Sequence, residues 1–402
     1  MQINIERIKE NLLKVGEIGR VEGGGITRLA YSKEFEEAAK ELIDLMKKAN
    51  LEVTGDGVQN IFGKRSGDNN NYPSIMIGSH LDTVPNGGIF DGALGVIAAL
   101  EVINVLNEKN IRTRHPIEIV AFNAEEGSAI GGTFGSRVVV GLQDPYEDGL
   151  IEKLDQYGMN INDVKKSVRN TAGIKVFLEL HVEQGANLYE KGIPIGIPTG
   201  IFGITRYGIV AKGEANHAGT TPMRLRKDPL IGAAKLIIEI NRIVKEIGEP
   251  LVATIGVIKA YPGTVNVIPG TVEFIVELRD IDNQRIEEAV NKFKNSAHSI
   301  GGDIGFDFNL LINKPPTMLN KEVIEVIKNA CLSKKIAHQI TVSGAGHDAK
   351  SLAEKVPTGM IFVPSKDGKS HCPEEWTDWE SIKTGVEVLL DTIIKLDSVE
   401  LY

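Results

Sequence analysis

Only two cysteines, Cys331 and Cys372, occur in 402 residues. A disulfide framework and a zinc site built from cysteine are thereby excluded, and the usage suits a reducing cytoplasm. Long apolar runs are missing too: none approaches the ~20 residues that a membrane helix needs. Residues 1–20 carry Glu6, Glu10 and Glu17 among their apolar positions, so no signal peptide is expected. Basic residues form no cluster, and 45 Lys+Arg against 54 Asp+Glu leave a net charge of −9. Such a chain is a poor nucleic-acid binder. What is present is ordinary globular composition, 42% hydrophobic and 25% charged. The length suits two or three domains at ~100–200 residues each. A cytoplasmic enzyme, without membrane or nucleic-acid partners, is the expectation.

The first half alternates helix and strand. Phe35, Ala38, Ala39, Leu42, Leu45 and Met46 recur at helical spacing behind Ser32, an N-cap residue type. Short continuous apolar runs follow at Ser74–Ile77, Ile117–Phe122 and Val176–Leu180, as in parallel strands buried on both faces. Gly92–Leu106 between the first two reads as a buried helix. From Gly203 the style changes to strand, helix, strand, strand, helix, strand, the order of a ferredoxin-like unit. Thr271–Leu278 alternates strictly, with Val272, Phe274, Val276 and Leu278 on one face. After Pro315 and Pro316 the α/β style resumes. The predicted architecture is an α/β domain with a mixed sheet, residues 1–206 and 318–402, interrupted by an inserted α+β domain over 207–317.

Three apolar strands end in residue types that ligate metals. Ser74–Ile77 leads to His80, Ile117–Phe122 to Glu125 and Glu126, and Val176–Leu180 to His181. Open α/β sheets bind ligands beyond the carboxyl ends of their strands. Asp91 opens the buried helix within a glycine-rich turn, and His371 lies in a late loop. Imidazoles and carboxylates in this mixture suit one or two zinc-like ions.

Gly78-Ser79-His80-Leu81-Asp82-Thr83-Val84-Pro85, Asp91-Gly92 and Glu125-Glu126-Gly127 resemble the zinc-dependent aminoacylase and carboxypeptidase superfamily. Leu178-Glu179-Leu180-His181-Val182-Glu183-Gln184-Gly185 marks the branch: it resembles the hydantoinase/carbamoylase family. That family includes N-carbamoyl-L-amino acid hydrolases, β-ureidopropionases and allantoate amidohydrolases. Further similarities lie in Gly213–Pro222, Asn266–Pro269, Arg279-Asp280, Gly344–Ala349 and Ser370-His371. The resemblance runs in unbroken order from about residue 5 to residue 395, and no ligand position departs from the pattern.

The resemblance implies a site for two divalent metals, zinc first, with manganese, cobalt or nickel also suited to such donors. It implies that Asp91 bridges both, that His80 and His181 complete one, and that Glu126 and His371 complete the other. Asp82 is expected to orient a ligand imidazole from behind. Glu125 corresponds to the general base, and His217 to an oxyanion-stabilising histidine that often reaches a partner subunit. Gln184, Asn266, Arg279 and the backbone at Gly344 and Ala345 correspond to substrate contacts. His347 is conceivable as a site residue, with a structural hydrogen-bonding role the favoured expectation. The implied activity is metal-assisted hydrolysis of a ureido C–N bond in a small carboxylate, releasing ammonia and carbon dioxide. The implied inserted domain acts as lid and homodimer interface. A peptidase or aminoacylase on the same scaffold is the nearest alternative, but peptidase branches carry an acid where this chain has His181.

Overall fold

The computed structural model describes residues 2–401. It divides into two compact units: the chain up to Thr199 together with the chain from Met318, and Gly200–Thr317. The boundary expected at 207 falls inside the strand Gly203–Lys212, which pairs along its length with Thr271–Asp280, so the second unit begins earlier.

The larger unit is built on a nine-stranded mixed sheet. From one edge its order is Glu52–Gly55, Ile61–Arg65, Ile117–Phe122, Ser74–His80, Ile174–Val182, Thr358–Val363, Ile195–Ile201 and Thr317–Met318. The ninth strand, His338–Ser343, pairs with Ile195–Ile201. Ser74–His80 is parallel to both Ile117–Phe122 and Ile174–Val182, and the latter is parallel to Thr358–Val363. The first three of these strands are buried along their whole length, which is why they read as continuous apolar runs. The helix Ala93–Glu108 packs on Ser74–His80 and is buried nearly all round. The helix Lys33–Lys48 starts where Ser32 Oγ accepts from the Phe35 amide at 3.1 Å.

One buried cation fixes the segment beyond Ser74–His80. Arg28 is fully buried, and its Nε donates to the Leu81 carbonyl at 2.8 Å. Its Nη1 donates to the carbonyls of Val15 and Ile18 at 3.2 and 3.0 Å. The end of the helix Ile5–Glu17 is thereby tied to the turn that carries Asp82.

The second unit has the predicted βαββαβ order: Gly203–Lys212, Pro229–Ile247, Val252–Tyr261, Thr271–Asp280, Asn283–Gly301 and Gly305–Lys314. The four strands of its main sheet are antiparallel, ordered Gly305–Lys314, Gly203–Lys212, Thr271–Asp280, Val252–Tyr261. The alternation read from the sequence buries Val272, Phe274, Val276 and Leu278 with Leu236, Ile240 and Phe293 of the helices. Among the described residues no helix is long and apolar enough to cross a membrane.

Candidate metal centre

Strand ends and one helix start bring the ligand-type residues together in the larger unit. His80 ends Ser74–His80, His181 is the second-last residue of Ile174–Val182, and Asp91 precedes the helix Ala93–Glu108. The parallel register places these strand ends side by side. Gly92 takes φ +65 at the helix start, and a Cβ there would overlap the His80 ring. Gly92→Ala is therefore expected to displace His80 and weaken metal binding by ~10- to 100-fold, read by metal titration.

Two triads share Asp91. His80, Asp91 and His181 form one and Asp91, Glu126 and His371 the other, each with its donor atoms within 4.8 Å of one another. Asp91 Oδ1 faces His80 Nε2 at 3.4 Å and His181 Nε2 at 3.1 Å. Asp91 Oδ2 faces His371 Nε2 at 3.2 Å, and Glu126 Oε1 lies 3.3 Å from the same nitrogen. His80 Nδ1 is 2.9 Å from the Asp82 carbonyl and His181 Nδ1 is 2.9 Å from the Val182 carbonyl. A ring that donates from Nδ1 in its neutral form presents a lone pair at Nε2. Two lone pairs thus converge on a carboxylate oxygen. Asp91 Oδ1, Glu126 Oε1 and Gln184 Oε1 are buried without hydrogen-bond partners among the described residues. Buried acceptor oxygens left without a donor fit a divalent cation.

Glu125 and Glu126 follow Ala124, whose φ of 61 turns the chain sharply after the strand Ile117–Phe122. The Asp82 carboxylate accepts from both following amides, Glu125 N at 3.2 Å and Glu126 N at 3.0 Å. This corrects the role expected of Asp82. Its carboxylate is 3.9 Å from His80 Nδ1, and the imidazole is held by the Asp82 main-chain carbonyl instead. Glu125 is nearly buried, with Oε2 3.9 Å from His80 Nε2. Burial pushes its carboxyl well above the usual range, and the nearby acids Glu126, Asp348 and Asp82 add to the rise against the opposing effect of His80.

The remaining expected residues fall out unevenly. Gln184 is in the cluster: its Nε2 donates to Asp91 Oδ2 at 2.8 Å and lies 3.2 Å from His371 Nε2. The Ala345 amide donates to Ser343 Oγ at 3.2 Å, so that N–H is already engaged within its own turn. His347 lies beside the cluster: its Nε2 is 2.7 Å from Ser343 Oγ, its ring is edge-on to His181, and with Glu179 and His181 it forms a further group of metal-ligand type. His217, Asn266 and Arg279 belong to the second unit. There His217 pairs with Val267, and the Ala218 amide donates to the Asn266 carbonyl at 3.0 Å. His217 Nδ1 accepts from the amides of Gly219 and Thr220 at 3.0 and 3.2 Å. Its neutral ring therefore carries the proton on Nε2. Arg279 Nε donates to Glu277 Oε1 at 2.7 Å, an ion pair within one strand.

Sequence reasoning missed Glu375. This carboxylate is buried, and Oε1 accepts from the amides of Phe90 and Asp91 at 3.0 and 3.1 Å. Oε2 accepts from Ser370 Oγ at 2.7 Å, next to His371. One side chain so joins the turn holding Asp91 to the loop holding His371. Burial raises its pKa to about 7, with Asp91 adding to the rise. Its adjacency to Ser370-His371 was the only signal available. Glu375→Gln keeps the shape but replaces one acceptor oxygen by a donor, and is expected to lower activity ~10- to 100-fold, more through metal affinity than through KM.

A sheet edge that assembles imidazoles and carboxylates around buried acceptor atoms defines a metal-dependent hydrolase type of site. Residues 76–395 match the family described as Peptidase family M20/M25/M40, and the chain belongs to it. It is 40% identical over 410 residues to an N-carbamoyl-L-amino-acid amidohydrolase of Pseudomonas sp. (strain NS671), covering 98% of each chain. It is 35% identical over 396 residues to an allantoate amidohydrolase of Escherichia coli (strain K12), covering 96% of each. A solved hydantoinase/carbamoylase family amidase from Burkholderia ambifaria superposes with a TM-score of 0.91 at 31% identity, over 100% of this chain and 99% of that one. The hydantoinase/carbamoylase resemblance read from the motifs is thereby borne out.

Proposed function

We propose that this protein hydrolyses the carbamoyl C–N bond of a small ureido carboxylate, first an N-carbamoyl-L-amino acid. The observation that carries the reading is the pair of triads sharing Asp91, on a chain whose similar relatives are named for carbamoyl and allantoate substrates. His80, Asp91 and His181 would hold one divalent ion, and Asp91, Glu126 and His371 a second, with zinc the best match to these donors. Such ions, when bound, polarise a carbonyl and acidify water.

The side chains supply the rest. Glu125 takes a proton from the attacking water and returns it to the nitrogen that leaves. Water adds to the ureido carbon, the bond to the amino-acid nitrogen breaks, and the carbamate decomposes to ammonia and carbon dioxide. His217 Nε2–H donates to the developing oxyanion. Arg279 and Asn266 hold the substrate carboxylate, with Gln184 and the Gly344 backbone as further contacts. The inserted unit serves as lid and as the interface of a homodimer, and the enzyme works in the cytoplasm.

Ammonia release from zinc-loaded protein tests the reading, with N-carbamoyl-L-methionine, N-carbamoyl-β-alanine and allantoate as substrates. The expected result is turnover of the first. Allantoate is the second candidate because a relative named for it covers nearly the whole chain. Cleavage of only an N-acetyl amino acid or a dipeptide would overturn the ureido reading.

A further inference from the structure

The larger unit has a polar concavity at the end of its parallel strands opposite the metal-ligand cluster. A cavity of about 360 Å³ opens where Ser74–His80, Ile174–Val182 and Thr358–Val363 begin, lined among others by Pro73, Lys175 and Pro357. Ser74–His80 spans 7 residues. At ~3.3 Å per residue, roughly 20 Å of strand separates this cavity from His80.

Lys175 lines the cavity and is only 9% exposed. Its Nζ donates to His115 Nε2 at 3.0 Å. His115 Nδ1 lies 2.8 Å from the Pro73 carbonyl, and only a protonated Nδ1 can donate there. With the ammonium as donor, His115 Nε2 takes one of its three protons. Among the described residues no carboxylate is ion-paired with Lys175. Arg114 also lines the cavity, and its guanidinium has no ion pair among the described residues. Two acids are near. Asp397 is spent on the chain, accepting from the amides of Arg114 and His115 at 2.9 Å each. Glu400 lines the cavity from an exposed position. Burial lowers the affinity of Lys175 for its proton, and Arg114 lowers it further against Glu400 and Asp397.

A buried ammonium whose one direct hydrogen-bond partner among the described residues is an imidazole is incompletely compensated, and two donors beside a second cation are what an oxyanion needs. We propose that this cavity is an oxyanion site, taking a small carboxylate or phosphate group between Lys175 and Arg114. Tyr72, whose ring lies 5.2 Å from that of His115, forms part of the wall. The site is independent of the metal centre and of the reaction proposed for it.

The test follows the His115 ring, because an anion that also reaches the metal centre leaves this resonance unmoved. Zinc-loaded protein labelled at histidine is titrated with inorganic phosphate and, separately, with acetate. The expected result is a saturable shift of His115, and whichever anion binds at the lower concentration identifies the source of the group. Lys175→Met and Arg114→Gln are each expected to weaken binding about tenfold, the loss of one charge-assisted contact. Glu400→Gln is expected to tighten it about two- to threefold, since a like charge is removed. Should Lys175→Met fail to fold, the exposed Arg114 and Glu400 variants carry the test with opposite signs. No saturable shift with either anion, or shifts unchanged in both exposed-site variants, would overturn the site.

Discussion

Glu125→Gln is expected to lower kcat by ~10² to 10⁴ with the metal content of the parent enzyme, measured by ammonia release alongside elemental analysis. The amide matches the carboxylate in size, and the Asp82 carboxylate still holds the 125 and 126 amides in place. What is lost is an oxygen able to take a proton. Burial, with the neighbouring acids, raises the proton affinity of this carboxyl above its usual range, which suits a group that accepts a proton and passes it on. A variant within about threefold of the parent would assign proton transfer to another group, since removal of a working general base costs far more.

Metal removal has the second large effect. Chelator treatment is expected to abolish turnover and to lower the melting temperature, with both restored by zinc. A ligand bound only by the folded state stabilises it by about 2.7 kcal/mol at a hundredfold excess over Kd. Asp91→Asn should separate from the parent here. Asp91 faces His80 and His181 with one oxygen and His371 with the other. An amide cannot serve both sides as an anion, so the variant is expected to lose turnover and most of the zinc-dependent rise in melting temperature. A variant that keeps the full rise would show that Asp91 is not the shared ligand.

Much of this centre was legible because strand ends announce themselves. His80, Glu126 and His181 each follow an apolar run buried on both faces, and the inserted unit declared itself by the alternation from Val272 to Leu278. What escaped was set by contacts between distant segments. Glu375 reads as one of two acids in a loop until the fold presses it onto the amides of Phe90 and Asp91. Arg28 reads as a surface cation until three carbonyls surround it. Asp82 was noticed, but its spacing from His80 could not reveal that its carboxylate would serve the Glu125–Glu126 turn. Strands such as Ile195–Ile201 and His338–Ser343 carry weak patterns and depend on the sheet they join.

Both strand-end histidines of the centre take their orientation from the main chain, His80 from the Asp82 carbonyl and His181 from the Val182 carbonyl. A backbone oxygen has no side chain to mutate and no proton to lose. The nitrogen each ring would present to a metal is therefore fixed without help from a neighbouring side chain. Substitutions of the side chains around these rings can therefore change what lies beside the imidazoles while each keeps the same nitrogen forward.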